Sequence, residues 1–150
     1  MCRADKILDM NADASWPLQR ALSKRLETSA RLQALLGSCF LLHDVGTIKP
    51  CYPCLLLGPN QTKGWRSHAF DGQEHRIRLI AYNRDGGSDM ARKLVNATIG
   101  ELHDADFPVP GHALVDLQFE FSETRYIQKP DEQEGVFETK MEFKALTVSD

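Results

Sequence analysis

Two stretches near the C-terminus decide the fold: Leu114-Val-Asp-Leu-Gln-Phe-Glu-Phe121 and Phe137-Glu-Thr-Lys-Met-Glu-Phe-Lys-Ala145. In both, apolar and polar side chains alternate with a period of two, which predicts β-strands with one dry face and one wet face. The dry face of the first strand is expected to carry Val115, Leu117, Phe119 and Phe121. A parallel sheet wrapped by helices would bury both faces, so the alternation favours an antiparallel hairpin covered on one side only.

Helical segments upstream are expected to cover that dry face. Ser15 is a suitable N-cap with Pro17 tolerated in the first turn, so a helix is predicted to begin beside it and carry an apolar stripe of leucines. Thr28 or Ser29 is expected to cap a second, short helix, which Gly37 would end.

The middle of the chain adds strands and the second main helix. Strands are predicted over Cys39–His43, Leu55–Leu57 and His75–Tyr82, and Gly58–Gly72 is read as a long exposed loop or a hairpin excursion. A helix capped by Ser88 should run to Leu102. The sequence therefore predicts an α+β fold in which an antiparallel or mixed sheet of four to five strands is covered on one face by two main helices.

Length and composition limit the functions that this chain can have. Its 150 residues suit one domain, predicted over residues 15–150 after a flexible lead-in over residues 1–14. The 18 Lys and Arg against 21 Asp and Glu leave a net charge of −3 without a basic cluster, which argues against tight nucleic-acid binding. No apolar run resembles a signal peptide or a membrane span, so we expect a protein made in the cytoplasm.

Cys51-x-x-Cys54 is the most suggestive chemical motif. Such a pair can form a redox dithiol or half of a zinc site. The three leucines and glycine that follow have a strand pattern, whereas a redox pair needs a helix N-terminus to stabilise its thiolate. Cys2 and Cys39 supply no matching second pair for zinc. The interpretation we favour is that these cysteines are incidental.

Other polar residues form no recognisable catalytic, cofactor or metal site. The histidines lie in separate predicted elements and lack metal-ligand spacing; they are His43, His68, His75, His103 and His112. Asp85-Gly86-Gly87 before a helix is read as a turn, since it lacks the other residues of a phosphate loop. We predict no enzyme activity, no cofactor and no metal.

Several short motifs, taken in order, resemble a known family. They include Leu18-Gln19-x-Ala21-Leu22, the run Tyr52-Pro53-Cys54-Leu55-Leu56-Leu57-Gly58, Gly111-His112 before Leu114-Val115-x-Leu117, and the ending Gly135-Val136-Phe137 through Leu146. Their order and spacing are similar to those of the tail terminator, or tail completion, proteins of tailed phages and gene transfer agents, over about residues 16–148. One departure is Cys54, where the family often has an aromatic residue.

The resemblance implies a structural subunit with a tail-terminator-like fold. Such a subunit would form a homohexameric ring at the head-proximal end of the tail tube, between the tube protein and a head-side stopper or connector. DNA would pass through its lumen without specific binding, and no membrane would be involved. Two alternatives remain: another connector ring, such as a stopper or adaptor, or a small thiol-dependent oxidoreductase using Cys51 and Cys54.

If assembly is the function, its working residues should lie in the polar segments 60–72 and 123–135. The acidic second segment is either a solvated hairpin tip or a stretch that orders against a partner. The interface residues predicted from these segments are Asn60, Gln61, Lys63, Trp65, Arg66, Arg125, Tyr126, Lys129, Asp131 and Glu132.

Overall fold

The computed structural model describes residues 14–37, 52–66, 71–128, 130 and 134–149. The helices are α1 (Ser15–Glu27), α2 (Ala30–Leu36) and α3 (Gly87–Leu102), and the strands are β1 (Cys54–Leu57), β2 (Gln61–Arg66), β3 (Asp71–Asn83), β4 (His112–Ile127) and β5 (Val136–Ser149). The strand predicted over Cys39–His43 and the lead-in predicted over residues 1–14, except Ala14, lie outside the described residues.

The five strands form one antiparallel sheet in the order β1-β3-β5-β4, and β2 pairs with the other half of β3. This confirms the predicted α+β class. The prediction that Gly58–Gly72 is a loop was wrong for Gln61–Arg66, although a hairpin excursion was the stated alternative. The strand escaped detection because β2 is an edge strand whose described side chains are exposed on both faces, so it shows no apolar alternation.

One face of the sheet, the inner face, packs against the three helices. The core joins helical leucines to inward side chains of β3 and β5, including Leu22, Leu94, Ile77, Leu79 and Phe143, all exposed by 1% or less. Burial of this apolar surface is the main source of folding free energy.

The helix ends agree only in part with the predictions. Ser29 is the N-cap of α2 and accepts a hydrogen bond from the Leu32 N–H at 3.2 Å. Ser15 was wrongly predicted as a cap: the N-cap of α1 is Ala14, whose side chain makes no capping bond. Gly37 ends α2 with φ +61°, as expected.

The start of α3 also differs from the prediction. Its N-cap is Gly86, at φ +83°, and not Ser88. The buried Asn83 side chain donates to the carbonyls of Asp85 at 3.1 Å and Gly87 at 2.9 Å. The last side chain of β3 therefore holds the turn that leads into the helix.

Two irregularities in β4 correct the predicted dry face. The pairing register with β5 shifts between Leu114 and Asp116 and again between Phe119 and Phe121. An extra residue in a strand changes which face the following side chains occupy. Leu117 and Phe119 therefore remain on the inner face, while Val115 and Phe121 are 55% and 50% exposed. Their assignment to the buried face was wrong.

Candidate assembly interface

The outermost strand, β4, is covered by the chain along one half only. The Asp104 N–H donates to the Leu117 carbonyl at 2.8 Å, and the Phe119 N–H donates to His103 Nδ1 at 3.1 Å. The second irregularity is followed by Phe121–Ile127. Among the described residues, the backbone of this stretch pairs with β5 and with no other element. We call this stretch the hairpin edge.

Tyr126 is held in a defined position near the end of the hairpin. Its ring lies against Phe137 with centroids 5.0 Å apart, and its hydroxyl accepts a hydrogen bond from the Gly135 N–H at 3.1 Å. A Cβ atom at residue 135 would collide with the tyrosine ring, so this close approach requires glycine. Tyr126 is nevertheless 54% exposed, and it is therefore an ordered aromatic side chain available for contact.

The opposite edge of the sheet is formed by β2 and β1, which cover successive halves of β3. Gln61 and Lys63 are exposed, and Trp65 and Arg66 belong to the same strand. Asn60 precedes the strand and donates to Gln19 Oε1 of α1 at 3.3 Å. The predicted interface residues in this segment thus share one edge.

The two predicted interface segments lie at opposite edges of one sheet. Arg125 and Tyr126 belong to the hairpin edge, across β5 and β3 from β2. Lys129, Asp131 and Glu132 lie outside the described residues. The sequence identified both edges through their polarity, but it did not indicate that a single sheet separates them.

The outer face of the sheet carries ion pairs between strands. Glu142 lies 3.1 Å from Arg76 and 3.2 Å from Arg78, and its own side chain is 8% exposed while the arginines are about half exposed. The alternating Glu and Lys of β5 had indicated only a wet face. Both arginines hold the carboxylate against β3, so this face is ordered as well as polar.

A second buried carboxylate, Glu138, connects three strands. It accepts hydrogen bonds from Arg125 Nε at 2.8 Å and from the Tyr82 hydroxyl at 2.9 Å, and Lys140 lies 3.9 Å away. Burial, reinforced by the nearby Glu138 carboxylate, raises the pKa of Tyr82 to about 12. Arg125, predicted as an interface residue, therefore already has a partner within its own subunit.

A groove that the sequence did not predict lies beside α1. Its volume is about 1030 Å³, and its walls are α1 and the 107–110 loop, with Trp16, Arg20, Lys24, Phe107 and Pro108 among the lining residues. Trp16 is 64% exposed. The Arg25 guanidinium sits 5.7 Å from the centre of the Phe107 ring and donates to the Glu101 carbonyl at 2.7 Å, which fixes one side of the groove.

The thiol chemistry considered for Cys51 and Cys54 finds little support in this fold. Cys54 is 5% exposed at the start of β1, and burial raises the pKa of its thiol against the smaller opposing effect of a Tyr82 backbone hydrogen bond. A reactive thiol needs the opposite shift. Cys2, Cys39 and Cys51 lie outside the described residues.

The described ranges contain no group of three or more His, Cys, Asp and Glu side chains placed to hold a metal ion. Across the same ranges, no helix has the length and apolar character needed to span a membrane.

These features define a class of protein before any comparison: a small α+β domain with a helical layer on one face of its sheet and ordered, uncovered strand edges. Residues 20–147 match the family described as tail completion protein gp17. The chain belongs to this family of tail completion proteins, which are structural proteins and not enzymes. The family resemblance and the absence of enzyme activity inferred from the sequence are thereby confirmed.

One solved structure has a closely related fold. It is a chain in the virion of a native gene transfer agent (GTA) particle, matched with a TM-score of 0.74 and 23% sequence identity over 88% of this chain and 95% of that chain. At this identity the similarity establishes the fold alone. No curated protein sequence matches the chain significantly.

Proposed function

We propose that copies of this chain form a homohexameric ring that ends the tail tube and joins it to the head-side connector of a phage or gene transfer agent particle. The observation that carries this proposal is the position of the two predicted interface segments at opposite edges of one sheet. Identical subunits that contact each other through different surfaces close into a ring when the rotation between neighbours is right.

The proposal assigns different parts of the surface to different partners. Neighbouring copies would meet at the strand edges, while the tail tube protein and the head-side stopper or connector would meet the two ends of the ring. The predicted interface residues belong to these contacts, including Lys129, Asp131 and Glu132, which lie in the sequence between β4 and β5. We further propose that residues 15–150 act as one domain and that residues 1–14 form a flexible extension.

The charge of the subunit suits a channel for DNA. A net charge of −3 without a basic cluster in the sequence supports a lumen that holds the phosphate backbone only weakly. DNA would therefore pass through the lumen without specific binding. The protein would be made in the bacterial cytoplasm and end at the head–tail junction of the particle, with no cofactor and no membrane contact.

Electron microscopy of particles made with and without this gene tests the proposal. Without the gene, we expect tails of irregular, excessive length that are detached from filled heads, and the gene supplied in trans should restore finished particles. Tails of normal length on separated heads would favour a stopper or adaptor, and finished particles in the absence of the gene would exclude the proposal altogether.

A further inference from the structure

We propose that the hairpin edge of one copy pairs with β2 of the next copy, so that each sheet continues into its neighbour. This inference rests on the proposed ring and specifies the contact that closes it. Both segments are strands of similar length, Phe121–Ile127 and Gln61–Arg66, at the two sides of the sheet. Unpaired edge strands are ready templates for strand addition by a second chain.

Strand direction fits this pairing, but the two segments lie at different levels of the sheet, since Glu123 and Lys63 align with the β5 residues Lys140 and Leu146, which are six positions apart. The strands of the ring must therefore be tilted relative to its axis for the two segments to meet, as strands are in a closed barrel. β2 is antiparallel to β3, β3 to β5, and β5 to β4, so β4 and β2 run in opposite directions within one subunit. All copies in a cyclic ring have the same orientation along its axis. The β4 strand of one copy therefore meets β2 of the next copy in antiparallel orientation, as in the rest of the sheet.

Oppositely charged side chains lie on the same face of the extended sheet. Residues opposite each other in an antiparallel pair share a face. Glu123 lies opposite Lys140, whereas Lys63 lies opposite Glu74, which in turn lies opposite Leu146. Lys140 and Leu146 are an even number of residues apart on β5, so all five positions share the outer face.

Each of the two charged side chains has an opposite charge directly across a strand pair of its own subunit, Lys140 for Glu123 and Glu74 for Lys63, but forms no ion pair with it. Glu74, the cross-strand neighbour of Lys63, is paired with Lys144 at 3.2 Å. Arg125, the cation nearest to Glu123 in sequence, is paired with Glu138 at 2.8 Å. Among the described residues, Lys63 and Glu123 have no ion pair, and both are exposed near the middle of their strands.

The unpaired charges of the two edges are complementary. The hairpin edge contains Glu123 and Arg125, of which Arg125 is already paired with Glu138, whereas β2 contains Lys63 and Arg66 and no acid. Opposite charges directly across a strand pair favour pairing, and like charges disfavour it. Two copies of β2 would bring only cations together, so the charges favour the head-to-tail contact over a symmetric β2–β2 pair.

A charge swap tests the contact directly. Native mass spectrometry of the purified full-length chain should show at least a severalfold lower fraction of rings for Glu123→Lys and for Lys63→Glu, because each places like charges across the interface. The double variant should recover most of the wild-type fraction. Asp89→Lys makes the same charge change as Glu123→Lys, but at an exposed position of α3, and should leave the fraction of rings unchanged.

A backbone variant gives an independent test. Ser122 is exposed on the open strand, and Ser122→Pro removes a main-chain donor and places a ring where the neighbour would pair. We expect loss of rings with a circular dichroism spectrum like that of the wild type. Rings that form normally with correctly folded Ser122→Pro would contradict the proposal.

The results separate this contact from the proposed function. Single charge variants that behave like Asp89→Lys, or a double variant no better than the singles, would overturn the edge pairing while leaving the terminator role intact. If the purified chain forms no rings alone, the two single charge variants, the double variant and Asp89→Lys are compared by the yield of finished particles when each gene is supplied in trans. The same pattern is then expected, and equal yields would overturn the contact.

Discussion

Phe143 and Phe121 are the same residue type on neighbouring strands of one sheet, and they have opposite environments. Phe143 is 0% exposed beneath the helices, whereas Phe121 is 50% exposed on the uncovered outer face. The inner face is closed by the chain's own helices, while the outer face is ordered by ion pairs and, like the hairpin edge and β2, is left open. The comparison teaches that one alternating sequence pattern can supply both a folding core and an open, ordered outer surface.

The largest expected difference comes from truncating these two phenylalanines. Phe143→Ala should lower the free energy of unfolding by about 3–5 kcal/mol because it leaves a cavity in the core. Phe121→Ala should change it by less than about 1 kcal/mol, since half of that side chain is already in water. Urea denaturation of both variants measures the difference. Similar losses for the two would show that the outer face is covered within the subunit.

Two glycine substitutions test whether the hairpin end is ordered. Gly135→Ala should cost about 1–3 kcal/mol, because the added methyl group collides with the Tyr126 ring. Gly64→Ala is the control, since a Cβ there meets no atom within 4 Å. Thermal unfolding and amide hydrogen exchange at the hairpin provide the readout. Equal protection of the hairpin in both variants would mean that Tyr126 is not held against Gly135.

A smaller effect is expected from the outer-face ion pairs. Glu142→Gln should reduce stability by about 1–2 kcal/mol, between the values typical of exposed and buried pairs, because the carboxylate is mostly buried but its arginine partners are half exposed. Asp89→Asn removes an exposed helical pair and should cost less than about 0.5 kcal/mol. Denaturant titrations that give the same value for both would indicate that the outer face is ordinary solvated surface.

The smallest effect is a pH dependence at Tyr82. Its pKa is raised from 10.0 to about 12 in the folded chain, so the unfolded chain loses this proton at lower pH than the folded chain. The stabilisation is complete below pH 10 and is lost as the pH rises toward 12. Tyr82→Phe should show a shallower fall in melting temperature over this interval. Parallel falls for the variant and the wild type would contradict the assignment.

The sequence predicted the parts of the fold that depend on local periodicity. The alternation in β4 and β5, the leucine stripe of α1 and the cap at Ser29 all specify their structure through neighbouring residues. The start of α3 was missed because Ser88 was chosen as the cap by its residue type, whereas the turn is held by the Asn83 side chain, which binds the carbonyls of Asp85 and Gly87. The exposure of Val115 and Phe121 was missed because an extra residue in a strand has no periodic signature.

The sequence predicted which segments form the candidate interface, but it did not predict where they lie relative to each other. The polar sequence around Lys63 correctly predicted an exposed segment. The same polarity gave no strand pattern, so β2 was not predicted. Tyr126 was named in the predicted interface, yet its contact with Gly135 depends on how the hairpin closes. The pairing between strands, which places the two segments at opposite edges, comes from long-range contacts that a single sequence does not display.

Cryo-electron microscopy of the complete particle at side-chain resolution is the most direct test of the central claim that the open edges are assembly surfaces. We predict a ring of six copies at the head-proximal end of the tail tube, in which Phe121–Ile127 of each copy runs antiparallel to Gln61–Arg66 of the next. A ring in which both edges face solvent while neighbours meet through the helices would contradict the claim.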